Sequence, residues 1–277
     1  MLEFAGFDQG AGLRQVAAQN APHLLSVVQH GDRTAEMCLL WQVCSELHST
    51  GTTLGVLDTT ATETHESPGL QDMLDGAYRP QASGTDRGLG NRLWAVIPAA
   101  NGMRSLIHAV NAPHLGTNRS GHTTAAQTLN HLFHGFSTLV VYADAETLAE
   151  TLHLGQSSTV VALSPDMTSL LSAYKSLKQM ANGGALQAVS IVTVSPPASP
   201  LYLAHKIAKS LQKCTMNFLK CGVQHYNTST HFDVEQPSDG VRRLVLNVLD
   251  NAASLRHIPS HIPQQAPAIP AQFLWSH

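Results

Sequence analysis

The feature that most constrains this chain is a series of short, continuously apolar runs separated by longer segments of helical periodicity. STVVALS (158–164) and STLVVYA (137–143) are apolar at successive positions, not at alternate ones. A strand of that kind buries both faces, the condition of a parallel sheet covered by helices on either side. Five further runs qualify as strands: HLLSVVQH (23–30), TLGVLD (53–58), LWAVIP (93–98), LQAVSIVTV (186–194) and CGVQHY (221–226). After the first run, Met37, Leu40, Trp41, Cys44 and Leu47 recur at helical spacing, and Gly51 ends the helix. Helices are expected near 102–110, 120–135, 145–154, 167–181, 200–220 and 239–255. A polar excursion over 60–92 holds a short helix at Leu70 to Leu74. Right-handed crossovers then give an α/β fold: a doubly wound, mostly parallel sheet of about seven strands with helices on both faces.

The expected organisation is one α/β domain over 23–256, an N-terminal segment over 1–22 and a proline-rich tail over 257–277 without periodicity, read as disordered. Charged residues are 13% of the 277, about half the usual share, so polar surface falls to Ser, Thr, Asn, Gln and the 16 His. A net charge of -3 gives no electrostatic reason for binding nucleic acid or anionic lipid. No run reaches the roughly 20 apolar residues of a membrane span, and MLEFAGFDQG does not read as a secretory signal, so a cytoplasmic protein is expected. Cys38 and Cys44, like Cys214 and Cys221, lack zinc spacing and read as reduced thiols. His131 and His134 sit three apart on an expected helix, but no further ligand stands at metal spacing, so no metal is expected. Val241, Leu244, Val245, Val248, Leu249 and Ala252 form an apolar stripe read as core-packing, because only Arg242, Arg243 and Arg256 are basic nearby.

In a doubly wound sheet, the turn after the first strand holds ligand phosphate through backbone N–H groups and a helix N-terminus. Here that turn, VVQHGDRTAEMC (27–38), has one glycine, Gly31, and no lysine. Asp32 and Glu36 bring two carboxylates to the helix start, where they satisfy the helix dipole and compete with phosphate. On chemistry alone this is a capped helix.

The surrounding pattern nevertheless resembles the MinD/ParA class of deviant P-loop ATPases, and within it the flagellar number regulators FlhG and FleN. That pattern is a strand, GKGGVGK[ST], a helix, Gly, and a second strand ending in Asp. In register, Gly51 and Asp58 fall on the family glycine and aspartate. Gly31 falls on the signature lysine, Glu36 on the phosphate-binding lysine and Met37 on the magnesium-binding Ser/Thr, with Arg33 between them. LWAVIPAANGMRSL (93–106) is similar to the family's strand and PA-x-SG turn. Tyr142 takes the place of the Walker B aspartate, with Asp144 two residues on. SPDMTSLLSAYKSLKQM (164–180) keeps Thr168, Ser169, Ala173 and Tyr174 of a further family segment. The resemblance covers roughly 5–255. It implies a degenerate nucleotide pocket of Gly31, Asp32, Arg33, Glu36, Met37, Asp58 and Tyr142, with ATP hydrolysis not expected, ATP binding at most weak and no cofactor required.

As plain chemistry, FDQGAGLRQVAAQ (7–19) is a short surface helix capped by Asp8, with Leu13, Val16 and Ala17 on one face and Pro22 stopping it. The segment also resembles the D-Q-x-x-x-L-R activator motif of FlhG-type proteins, with Asp8, Gln9, Leu13 and Arg14 on its positions. That resemblance implies a partner: an FlhF-type GTPase of the signal-recognition-particle class, whose hydrolysis the motif stimulates. It also implies other flagellar assembly factors as partners of the body and recruitment by partners to the cell pole or inner membrane face, with direct membrane contact left open. The function expected is regulation of flagellar number or placement by a pseudo-ATPase. Two alternatives stay open: an ATP-dependent MinD-like membrane switch with an unusual loop, and an adaptor for another polar machine such as pili or partitioning.

Overall fold

The structure, a computed structural model, describes residues 22–80, 94–111, 125–152, 158–186, 188–230 and 238–251. Its seven strands are β1 (His23–Gln29), β2 (Leu54–Asp58), β3 (Ala95–Pro98), β4 (Thr138–Asp144), β5 (Ser158–Leu163), β6 (Ala188–Ser195) and β7 (Val223–Ser229). They form one sheet in the order β3-β2-β4-β1-β5-β6-β7, and every neighbouring pair is parallel. Between them run α1 (Arg33–Ser49), α2 (Leu70–Leu74), α3 (Ala100–Asn111), α4 (Ala125–Leu132), α5 (Ala145–Leu152), α6 (Met167–Asn182), α7 (Leu201–Cys214) and, after β7, α8 (Asp239–Asn251).

Successive strand residues point to opposite faces, so the sheet divides the core in two. Leu24 and Val28 of β1 and Leu139, Val141 and Ala143 of β4 face one layer, with residues of α2 through α7. Leu25, Val27, Val140 and Tyr142 face the other, against α1 and α8. The apolar stripe Val241, Leu244, Val245 and Val248 is fully buried there, so α8 is a core helix over its described length. Among the described residues no helix is long and apolar enough to cross a membrane.

Several expected elements differ in extent, two of them with a clear local cause. The single helix read over 200–220 is α7 followed by a π-helical turn, Thr215–Leu219, which closes at Lys220 with φ 55°. The last strand, read over 221–226, starts later and runs to Ser229, because its polar end is held by backbone pairing to Thr193, Val194 and Ser195. The excursion after β2 does contain α2, and Gly102 lets α3 pack onto it: a Cβ at Gly102 would lie 2.4 Å from the Gln71 nitrogen. The Glu63 carboxylate caps α3 by accepting from the Asn101 and Gly102 N–H groups, both at 2.8 Å. The sheet order reverses at β1, and the β1–α1 loop therefore opens at the switch point of the fold.

Candidate functional site

The site is built on the loop His30-Gly31-Asp32 between β1 and α1. Gly31 has φ 102°, a conformation open to glycine at little cost, and it turns the successive N–H groups of the loop toward one point. What they meet is a side chain of the same chain. Glu36, in the first turn of α1 and 0% exposed, turns back so that Oε1 accepts from the N–H groups of His30 (2.8 Å), Gly31 (2.9 Å) and Asp32 (3.0 Å). Its second oxygen, Oε2, accepts from the Tyr142 hydroxyl at 2.6 Å. Four donors thus surround one buried carboxylate, which makes burial of a charged group tolerable.

Tyr142 reaches Glu36 from β4, whose register sets it beside Val27 of β1 and Asp58 of β2. Burial, the hydrogen bond to Glu36 and the negative charges of Glu36 and Asp58 push the Tyr142 phenol well above its ordinary value, against a smaller opposing effect of Arg33. The phenol therefore stays a protonated donor. Asp58 ends β2 with Oδ1 accepting from the N–H (2.9 Å) and hydroxyl (2.6 Å) of Thr60. Met37 is half-buried against the α1–α8 side of the core, and Arg33 is exposed at the rim.

Asp32 caps α1 by accepting from the Ala35 N–H at 3.3 Å. Its other oxygen takes the Ser164 N–H at 3.0 Å and the Ser169 hydroxyl at 2.5 Å, tying the β1–α1 loop to the β5–α6 loop. Burial would raise the Asp32 carboxyl, but the hydrogen bonds from Ser169, Ser164 and Ala35 outweigh it and hold the group below its usual range. His30, its ring fully buried, completes the junction. Its Nε2–H donates to the Ala162 carbonyl at 2.7 Å, and Nδ1 lies 3.0 Å from the Ser172 hydroxyl. His30 Nε2 also lies 3.7 Å from Glu36 Oε1.

The structure therefore brings Gly31, Asp32, Glu36 and Tyr142 into one hydrogen-bonded cluster, with Asp58 beside Tyr142 in the sheet, Met37 on the core side and Arg33 outside. Sequence reading did not single out His30, Ser164 and Ser172. The one local signal was the position of His30 between an apolar strand and the loop glycine. Asp8, Gln9, Leu13 and Arg14 lie outside the described residues. Among the described residues no three His, Cys, Asp or Glu side chains are arranged to hold a metal ion. His134 instead uses Nδ1 on the His131 carbonyl at 2.8 Å.

No protein-family model matches the chain, and no curated protein sequence matches it. Solved structures do. The cell division protein MinD of Aquifex aeolicus aligns over 83% of this chain and 98% of its own, at 10% identity and a TM-score of 0.52. The pnob8 ParA structure aligns over 83% and 99%, at 8% identity and a TM-score of 0.52. Apo McdA of Cyanothece aligns over 82% and 99%, at 10% identity and the same TM-score. The sheet order, the all-parallel pairing and these alignments agree: the chain has the α/β fold of MinD- and ParA-type P-loop ATPases.

Proposed function

We propose that this chain is a positioning regulator of the MinD/ParA kind that works without ATP hydrolysis, and that its process is the number or placement of flagella. The observation that carries the first part is the engagement of the β1–α1 loop by Glu36. Three N–H groups that would otherwise be free for a phosphate already hold a carboxylate oxygen. An incoming phosphate would have to displace Glu36 and would meet its negative charge at contact distance. Phosphoryl transfer also needs a loop lysine, a magnesium ligand and a carboxylate to bind the metal. At the positions the resemblance assigns to them stand Glu36, Met37 and Tyr142.

Support for the flagellar part comes from Asp8, Gln9, Leu13 and Arg14, which match the activator motif of FlhG-type proteins. In this reading Gln9 orients the attacking water in the site of an FlhF-type GTPase, a role that needs an amide and no proton transfer. The α/β body then serves as the rigid platform from which the segment acts and on which assembly factors dock.

The test is GTP turnover by an FlhF-type GTPase with and without this protein, with Gln9→Ala run beside it. Stimulation that Gln9→Ala abolishes, and that added ATP and magnesium leave unchanged, is the expected result. Failure of the folded protein to stimulate an active GTPase removes the flagellar assignment. Stimulation that requires ATP removes the nucleotide-independent one.

A further inference from the structure

The charges of this chain are segregated in a way the loop site does not use. All six lysines fall between positions 175 and 220, and no Asp or Glu occurs from 167 to 232. That stretch therefore carries +6, leaving the rest of the chain at -9 within the total of -3. All six lysines are exposed, and among the described residues no carboxylate forms an ion pair with any of them.

The fold gathers five of them on one surface. On α7, Tyr202, Lys206, Lys209 and Lys213 recur at i, i+4, i+7 and i+11, one stripe opposite the buried Ala204, Ala208 and Leu211. On α6, Leu171, Lys175 and Lys178 recur at i, i+4 and i+7, opposite the buried Ala173, Leu177 and Met180. The two helices pack side by side on the same layer of the sheet, so the stripes are neighbours.

Large apolar side chains flank this lysine field. Leu201, 76% exposed, stands with Tyr202 at the start of α7, and Phe218, 72% exposed, stands with Met216 in the π-helical turn at its other end. Both ends of one basic helix thus present apolar groups to solvent.

We infer that the α6–α7 face docks on an anionic lipid bilayer, with Lys206, Lys209 and Lys213 over the headgroups and Leu201 and Phe218 entering the interface. Three features select a bilayer over a macromolecule. The cations are all lysine, compact charges on flexible stems that suit a fluid array of anions, whereas geometric recognition of a carboxylate or phosphate partner favours arginine. Lysine is also depleted in protein–protein interfaces. A nucleic-acid backbone offers nothing for Leu201 and Phe218, while a bilayer interface takes apolar side chains beside a basic field. The inference is independent of the nucleotide and GTPase readings, because it uses no residue of the loop site or of the N-terminal segment.

The test is co-sedimentation of the full chain with vesicles of phosphatidylcholine alone, or of phosphatidylcholine mixed with phosphatidylglycerol, at low and high salt. Binding is expected only to the anionic vesicles, and weaker at high salt. Lys206→Gln with Lys209→Gln lowers the affinity about 25-fold, two contributions of about fivefold each. Phe218→Ala weakens it on the same vesicles, and Arg242→Gln with Arg243→Gln, on the opposite side of the sheet, leaves it unchanged. The inference is overturned by no binding to anionic vesicles or by equal binding to neutral ones. It is also overturned if the arginine pair and not the lysine pair abolishes binding, or if the lysine face binds duplex DNA or an acidic protein in place of vesicles.

Discussion

Replacing Glu36 with alanine tests the loop most directly. The substitution removes the acceptor of four hydrogen bonds: the N–H groups of His30, Gly31 and Asp32 at 2.8–3.0 Å and the Tyr142 hydroxyl at 2.6 Å. The four donors do not lose equally. Tyr142 is 1% exposed, so its hydroxyl is left unpaired, at a cost of about 1–3 kcal/mol. The loop N–H groups lie beside the exposed Gly31, where water can replace part of what is lost. Each then costs about 0.5–1 kcal/mol, at the low end for a hydrogen bond. Together these give a loss of about 2.5–6 kcal/mol, a span that includes the range found when one partner of a buried charged pair is removed. Urea denaturation followed by circular dichroism, at unchanged m-value, reads this directly. Glu36→Gln is the control: its amide oxygen still accepts from the loop and its NH2 can donate to the tyrosine oxygen, so about 1–2 kcal/mol is expected. Inorganic phosphate or sulfate is expected to raise the Tm of Glu36→Ala and not that of wild type, because only the variant has free loop N–H groups. A loss below about 1 kcal/mol for Glu36→Ala, or equal anion stabilisation of both proteins, refutes the reasoning.

Other expectations follow from the same geometry. Tyr142→Phe deprives Glu36 Oε2 of its donor and is expected to cost about 1–3 kcal/mol in urea unfolding, less than Glu36→Ala. Asp32 has a lowered carboxyl, so its contribution is present above the ordinary value of 3.8 and is lost as pH falls through the lower folded value. The stability gap between wild type and Asp32→Asn, measured by urea midpoints, should therefore be full at neutral pH and shrink below about pH 4. Gly102→Ala is expected to lower stability by about 2 kcal/mol despite a helix-propensity gain of roughly 1 kcal/mol, since the new Cβ would lie 2.4 Å from the Gln71 nitrogen. A thermal-shift increase for that variant would contradict the tight α2–α3 packing.

The sheet was legible because parallel strands buried on both faces must be apolar at successive positions. Leu139, Val140, Val141, Tyr142 and Ala143 give that signal with no tertiary information. The end of α7 was not legible. Nothing between Cys214 and Lys220 is Gly or Pro, and the helix changes to a π turn without a local marker before the left-handed Lys220 closes it. Asp32 and Glu36 could be read as carboxylates at a helix start, which is a local property. That Glu36 turns back six residues to the His30 N–H and meets a phenol 106 residues away is set by the β1–β4 pairing, and no spacing in the sequence carries it. Two of the serines that hold Asp32 and His30 were hidden for the same reason: Ser164 and Ser172 are ordinary loop and helix residues until β5 is laid beside β1, and Ser169 was marked only by the resemblance, with no sign of its bond to Asp32.

Glu36 and Tyr142 are best understood as one interdependent pair spread over two positions. A loop that aims three N–H groups at one point needs an acceptor there, and in this chain Glu36 supplies it. Its second oxygen then points at the end of β4. A carboxylate at position 142, which the P-loop pattern would place there, would set two negative charges against each other in a buried site beside Asp58. Two such carboxylates cannot both stay ionised at that distance. A phenol held protonated by its surroundings donates to that oxygen and adds no charge. An acidic residue on the loop helix thus favours a neutral donor on the neighbouring strand, and an aspartate at position 142 would be tolerated only together with the loss of Glu36. Tyr142→Asp alone should therefore destabilise the fold more than Tyr142→Phe, and Glu36→Gln should recover part of that difference; a double variant no more stable than Tyr142→Asp alone would break the pairing argument.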